Sequence, residues 1–69
     1  MFNKNIILRF NEENKSKIKI VADKYAKDRY SQKGIGRFIF SCRRFDIDKI
    51  KNDIQLLNDI GLEVSIQIV

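Results

Sequence analysis

The chain has 69 residues, with 14 lysines and arginines, 9 aspartates and glutamates, one cysteine and no histidine, and its formal charge is +5. Its length allows one domain, expected over residues 1–69, and a composition of 43% hydrophobic and 33% charged residues is typical of a folded domain rather than a disordered tail. Because histidine is absent, there is no Ser/His/Asp or Cys/His nucleophile pair and no imidazole metal ligand. We therefore expect no enzyme activity, no metal site and no cofactor.

The single cysteine, Cys42, cannot form an internal disulfide, which favours a reducing compartment. The first ten residues contain too short an apolar run for a signal peptide, and no segment has the roughly 20 apolar residues of a membrane span. We expect a cytoplasmic protein without membrane contact. Cys42 is expected to be a small buried hydrophobic residue rather than a reactive thiol.

A strand and a helix are predicted in the first part of the chain. Residues 5–10 alternate between apolar and mostly polar positions, as in a half-buried strand. A helix follows from Glu12 to about Arg29, with Asn11 as its N-cap. Its buried stripe is expected to contain Ile18, Val21, Ala22 and Tyr25.

Residues 34–45, Gly-Ile-Gly-Arg-Phe-Ile-Phe-Ser-Cys-Arg-Arg-Phe, form the most apolar and aromatic run of the chain. They would give an acceptable apolar stripe as a helix, but the glycines and the many aromatic and β-branched residues favour a strand. Its core face would carry Phe38, Phe40 and Cys42. The Gly-x-Gly at its start lacks the rest of a phosphate-loop motif and is predicted to be a turn or bulge.

A second helix and a last strand complete the chain. The helix is expected to begin at a cap formed by Asp46 or Asp48 and to end at Gly61. Residues 62–69 alternate as a strand. The fold class predicted is α/β (α+β), a small two-layer sandwich of βαβαβ order with two helices on one face of a three-stranded sheet. Two right-handed crossovers would give a parallel sheet with the 34–45 segment in the middle.

A second architecture is left open. The run Ile-Ile-Leu-Arg-Phe-Asn-Glu-Glu, followed by apolar residues at helical spacing, resembles the start of a ribbon-helix-helix repressor. The resemblance covers about the first 26 residues. It implies an obligate dimer with a C-terminal extension, in which Asn5, Ile7 and Arg9 of paired strands contact bases in the major groove.

The positive charge is concentrated in residues 1–45, which carry twelve basic residues against four acidic ones, whereas residues 46–69 carry two against five. Such a polarised molecule is expected to attract phosphates. We expect a small basic nucleic-acid-binding protein, for DNA or RNA, with little sequence preference, and a regulatory role is left open. The predicted phosphate contacts are Arg9, Lys33, Arg37, Arg43 and Arg44.

The alternative function is a protein–protein interaction module or a small inhibitor from a mobile element such as a phage or plasmid. Three apolar residues fall outside or at the border of the predicted core stripes: Ile20 on the first helix, and Leu56 and Ile60 on the second. They are the expected contacts with a protein partner or with a second copy in a homodimer.

Overall fold

The computed structural model describes residues 3–27, 31–32 and 35–69. The three predicted strands and two predicted helices are present, together with one additional short strand, in the order β1 (Asn3–Arg9), α1 (Lys15–Tyr25), β2 (Ser31–Gln32), β3 (Arg37–Arg43), α2 (Ile47–Asp59) and β4 (Ser65–Ile68). The first helix ends at Tyr25 and not near Arg29 as predicted, because the backbone is already extended at Ala26. A 3-10 turn precedes each helix, at Glu12–Asn14 and at Arg44–Asp46. The fold is the predicted small α+β sandwich: three main strands form the sheet, both helices pack on one face of it, and the two-residue β2 extends one edge.

The predicted strand order is wrong. The sheet has the order β2-β3-β1-β4, and β1 is antiparallel to both β3 and β4. β1 is therefore the central strand, inserted between the two strands that α2 connects. Both edges of β1 are paired within the chain, so the ribbon-helix-helix alternative, which needs this strand to pair with a second molecule, is not required.

The segment between α1 and β3 causes the reversal of strand direction. After α1, the Lys27 N–H donates to the Ser41 carbonyl at 2.9 Å, and further on β2 pairs with β3 in antiparallel register. Lys27, Ser31 and Gln32 thus lie along the edge of β3. A direct helix-to-strand connection would have given a parallel strand; the break predicted around residues 30–34 instead contains a short edge strand.

Gly36 closes the turn that enters β3. Its φ is +73°, and a Cβ at this position would lie 2.5 Å from the Phe10 carbonyl oxygen. The Phe10 N–H donates to the Gly36 carbonyl at 2.9 Å, and the Gly36 N–H donates to the Glu12 carboxylate at 2.7 Å. Only glycine fits this close approach. The predicted turn at Gly-x-Gly is confirmed for Gly36, whereas Gly34 lies outside the described residues.

The core lies between the sheet and the two helices. Strand residues facing the helices alternate as predicted, and Leu62 and Val64 complete the core from the segment before β4. The buried residues are Ile6, Leu8, Phe10, Ile18, Val21, Ala22, Phe38, Phe40, Cys42, Ile50, Ile54, Leu62 and Val64. Among the described residues no polar or charged side chain is buried.

The helix ends follow from local chemistry. Asn11 accepts a hydrogen bond from the Glu13 N–H at 3.3 Å, as an N-cap does. Asp46 occupies the N-cap position of α2 but forms an ion pair with Lys49 at 3.8 Å rather than a capping bond. Gly61, with φ +94°, ends α2 as predicted. No described helix combines the length and the apolar character that crossing a membrane requires.

Candidate functional site

The face of the sheet opposite the helices, here called the open face, is formed by the strand residues that alternate with the core. Its described members on the three main strands and just after β4 are Asn3, Asn5, Ile7, Arg9, Arg37, Ile39, Ser41, Arg43, Ser65, Gln67 and Val69. All of them are exposed or half-buried, because both helices pack on the other side. Alternation along the predicted strands places nearly the same residues on one face, although the strands are arranged in a different order. It also predicts Glu63 there, which is wrong: Glu63 precedes β4 and has a φ of +55°.

Arg9 and Arg37 are directly opposite each other in the register of β1 and β3. Like charges in this position repel, which costs a sheet a few tenths of a kcal/mol up to about 1 kcal/mol. The Arg9 guanidinium also donates to the Gln67 side-chain carbonyl at 2.8 Å, so β4 orients it from the other side. Two of the predicted phosphate contacts are thus neighbours at one end of the open face.

Arg43 lies at the opposite end of the same face, where it pairs with Asn3. Asn3 is six positions before Arg9 on β1, a distance of about 20 Å at the rise of an antiparallel strand. The Arg43 guanidinium carbon lies 5.9 Å from the centre of the Phe45 ring, and Phe45 is 69% exposed. This end therefore combines a cation with an accessible aromatic ring.

The middle of the open face is uncharged. Ile7 and Ile39 are opposite each other and half-buried, with Gln67 on the other side of Ile7, and Asn5 is opposite Ser41. The face therefore consists of two basic ends separated by an apolar and polar centre. None of the described strands contains an aspartate or a glutamate, since all acidic residues that the structure describes lie in helices, turns or connections.

A shallow pocket of about 250 Å³ lies where α1 ends and α2 begins. Arg43 contributes to its lining, together with Lys24, Tyr25, Ala26, Lys27 and Asp46. The three basic side chains outnumber the one acidic side chain, so the positive charge of the Arg43 end continues around the edge of the sheet. In the sequence, Lys24 and Lys27 belong to the first predicted helix and Arg43 to the following strand, so no local pattern connects them.

Lys24 is held by α2 and is the least available of these cations. Its ammonium lies 3.3 Å from the Asp53 carboxylate, which also accepts the Tyr25 hydroxyl at 2.9 Å. Hydrogen bonding with Tyr25 and then with Asp53 raises the pKa of Lys24. Burial, followed by the hydrogen bond to Asp53, raises the pKa of Tyr25. This cluster joins the two helices and leaves Lys27 and Arg43 as the outer cations of the pocket.

Cys42 is fully buried beneath this end of the sheet. Burial, with a smaller contribution from the negative charge of Asp46, raises the pKa of its thiol. The thiol is therefore protonated at neutral pH and shielded from solvent, and the expectation of a buried hydrophobic cysteine is confirmed.

The remaining predicted site residues lie elsewhere. Arg44 is exposed in the 3-10 turn after β3 and is not part of the strand face. Lys33 lies outside the described residues. The structure brings none of the predicted partner contacts to the open face: Ile20 lies on α1, Leu56 lies on α2, and Ile60 is the residue after it, all well exposed.

Comparisons with protein-family models, with curated proteins and with solved structures find no match to this chain. Function is therefore inferred from the geometry and charge of the chain itself. Phe45 and Gln67 are the residues that sequence reasoning missed. Phe45 ends an apolar run in the sequence, and nothing distinguishes it there from the buried phenylalanines before it. The contact of Gln67 with Arg9 could not be predicted because it depends on the pairing of β1 with β4.

Proposed function

We propose that the protein binds nucleic acid on the open face, with Arg9, Arg37 and Arg43 in contact with phosphates. The observation that carries the proposal is the direct opposition of Arg9 and Arg37 on a face whose described strands contain no acidic residue. A phosphate bound at this end of the open face would accept charge-assisted hydrogen bonds from two arginines on adjacent strands. The cross-strand register therefore offers one anion two donors.

The spacing of the basic groups favours a long ligand over a small one. The Arg9–Arg37 pair and Arg43 are about 20 Å apart along β1, which is further than one small phosphorylated metabolite can reach. A nucleic-acid strand carries phosphates at regular intervals and can contact both ends. Its bases or sugars would then lie over the uncharged centre formed by Ile7 and Ile39.

Sequence selectivity should be weak. The centre of the open face offers two isoleucines and a few short polar side chains, and among the described residues the only exposed aromatic ring near it is Phe45. One ring could stack a single base, which contributes about 1–3 kcal/mol and does not depend strongly on base identity. We therefore expect phosphate contacts to dominate the affinity, and we expect a single strand to bind better than a duplex.

The test is fluorescence anisotropy with labelled single-stranded DNA, single-stranded RNA and duplex DNA, measured at several salt concentrations. The logarithm of the affinity should fall linearly with the logarithm of the salt concentration, because phosphate contacts release counterions. Changing Arg37 or Arg43 to Gln should weaken binding and reduce the magnitude of the slope by about 1 for each phosphate that the variant no longer binds.

The control for these variants is Lys51→Gln, which removes the same charge from α2, on the other layer of the molecule. It should leave the affinity and the salt slope close to those of the unchanged protein. Equal losses in the arginine variants and in Lys51→Gln would show that net charge, and not the open face, determines binding. Absence of binding to all three ligands at low salt would overturn the proposal.

A further inference from the structure

The helix layer exposes three large apolar side chains, Ile20, Leu56 and Ile60, which are 68%, 62% and 69% exposed and are here called the apolar patch. Ile60 directly follows the end of α2, four residues after Leu56, which is the spacing that places two residues on the same side of a helix. The open face lies on the opposite side of the sheet and does not use these residues. The nucleic-acid proposal therefore leaves the patch unexplained.

The two helices run antiparallel. α1 starts near the Arg9 end of β1 and finishes where Lys27 contacts Ser41, whose strand partner is Asn5. α2 starts after Arg43, near the Asn3 end, and the chain then returns to Ser65 opposite Arg9. The helices therefore point in opposite directions across the core.

The contact between Lys24 and Asp53 fixes how the antiparallel helices align. Ile20 precedes Lys24 by one turn, and Leu56 follows Asp53 by about one turn. Because the helices are antiparallel, both residues lie on the same side of the ion pair and at the same height along the helix layer. Ile20 and Leu56, which the sequence predicts separately, therefore lie at about the same height on the two helices and are both exposed.

The helices also differ in charge. α1 contains four lysines and one aspartate, whereas α2 contains three aspartates and two lysines. Two molecules related by a two-fold axis parallel to the helices would have α1 of one against α2 of the other. Such a rotation does not change the position of a residue along the helix direction. Ile20 would then meet Leu56 of the second copy, and Lys17 would lie close to its Asp59. A surface that is apolar in the centre and complementary in charge with itself fits a second copy of the same chain.

We infer that the helix layer is a homodimer interface, in which two copies form a four-helix arrangement with both open faces directed outward. Only three large apolar side chains from each copy would form the centre of the interface, so the dimer should be weak. We expect a dissociation constant of about 10–100 µM, weaker than the micromolar limit reached by interfaces of standard size. Dimer formation does not depend on nucleic-acid binding, because the two surfaces lie on opposite layers.

Sedimentation velocity over a range of protein concentration tests the inference. The sedimentation coefficient should rise from the monomer to the dimer value, and Leu56→Lys should raise the dissociation constant roughly tenfold or more, since the change places a charge at the centre of the interface. The matched control is Ile35→Lys, which makes the same chemical change at a residue that is 85% exposed and lies beside the sheet. It should leave the dimer intact.

Exchanging the charges of a proposed ion pair tests the dimer interface without changing an apolar residue. Lys17→Asp and Asp59→Lys should each weaken the dimer, and the variant with both changes should recover it, because the pair is restored across the interface. A protein that is monomeric at about 200 µM would overturn the inference, as that concentration exceeds the expected range. A dimer that is lost on Ile7→Lys but retained in Leu56→Lys would also overturn it, because the open face would then be the interface.

Discussion

Arg9 and Arg37 are direct cross-strand neighbours on the open face, and Gln67 holds the Arg9 guanidinium from the other side. This pair exists only because β3 is antiparallel to β1. In the parallel sheet expected from the sequence, the two arginines would have belonged to strands that run in the same direction, with a different register. The reversal of β3 is therefore the structural step that assembles the candidate site.

Gly36→Ala should destabilise the protein by about 3 kcal/mol or more, because the new Cβ would meet the backbone oxygen of Phe10 at a positive φ. The control is Gly61→Ala, where φ is also positive but no atom lies within 4 Å of the added Cβ. That change should cost about 1 kcal/mol, from backbone strain alone. Urea unfolding of both variants measures the difference, and equal losses would show that the contact with Phe10 is unimportant.

Asn58→Ala should cost about 2 kcal/mol, because the Asn58 side chain both donates to and accepts from the backbone of Val64. These two hydrogen bonds connect the end of α2 to the segment that enters β4. Asn58→Asp keeps the acceptor and loses the donor, so its unfolding free energy should lie between that of Asn58→Ala and that of the unchanged protein. A loss in Asn58→Ala no larger than the roughly 0.5 kcal/mol of an ordinary surface substitution would contradict the role of these hydrogen bonds.

Tyr25→Phe should reduce the free energy of unfolding by about 1–2 kcal/mol, since it removes a partly buried hydroxyl that donates to the Asp53 carboxylate. Lys24→Gln affects the same carboxylate from the solvent side and should have a smaller effect, because exposed ion pairs contribute little. Chemical denaturation of the two single variants tests this order. A larger loss for Lys24→Gln would contradict it.

Stability should decrease at alkaline pH. The pKa values of Cys42, Tyr25 and Lys24 are all raised in the folded state, so the folded protein retains protons that the unfolded chain releases. The loss should begin as pH rises above about 8.5, the ordinary pKa of a thiol, and continue through the ranges of tyrosine and lysine.

The free energy of unfolding measured from pH 7 to pH 10.5 or so tests this dependence. In Cys42→Ala the free energy of unfolding should decrease less over the pH range just above the ordinary thiol pKa, because the thiol is gone. The variant should be less stable at every pH, since a buried side chain is truncated. A stability that is constant or rises across this range would contradict the prediction.

The alternation of Ile6, Leu8 and Phe10, and the helix end at Gly61, allowed the strands, the helices and nearly all of the core to be predicted from the sequence, because these signals are local. The strand order was predicted wrongly, because it depends on the pairing of β2 with β3 and on the approach of Gly36 to Phe10. These contacts join segments that are distant in sequence, and β2 is too short to show the alternation of apolar and polar residues that identifies a strand.

The candidate site was predicted only in part for the same reason. Alternation alone placed Arg9, Arg37 and Arg43 on one face. The register of β1 and β3 makes Arg9 and Arg37 adjacent and places Arg43 at the far end. A hydrophobic pattern does not specify this register when the strand direction is unknown. The grouping of Lys27 with Arg43 around one pocket also depends on the path of the chain after α1.

The most direct test of the proposed function is to map the bound nucleic acid by amide chemical shifts, using isotope-labelled protein and an unlabelled single-stranded oligonucleotide at about 50 mM salt, where phosphate contacts are strong. The largest changes should occur in residues 5–9, 37–43 and 65–68, while residues 47–59 stay nearly unchanged. Largest changes in the lysine-rich residues 15–25, or no changes at all, would contradict binding on the open face.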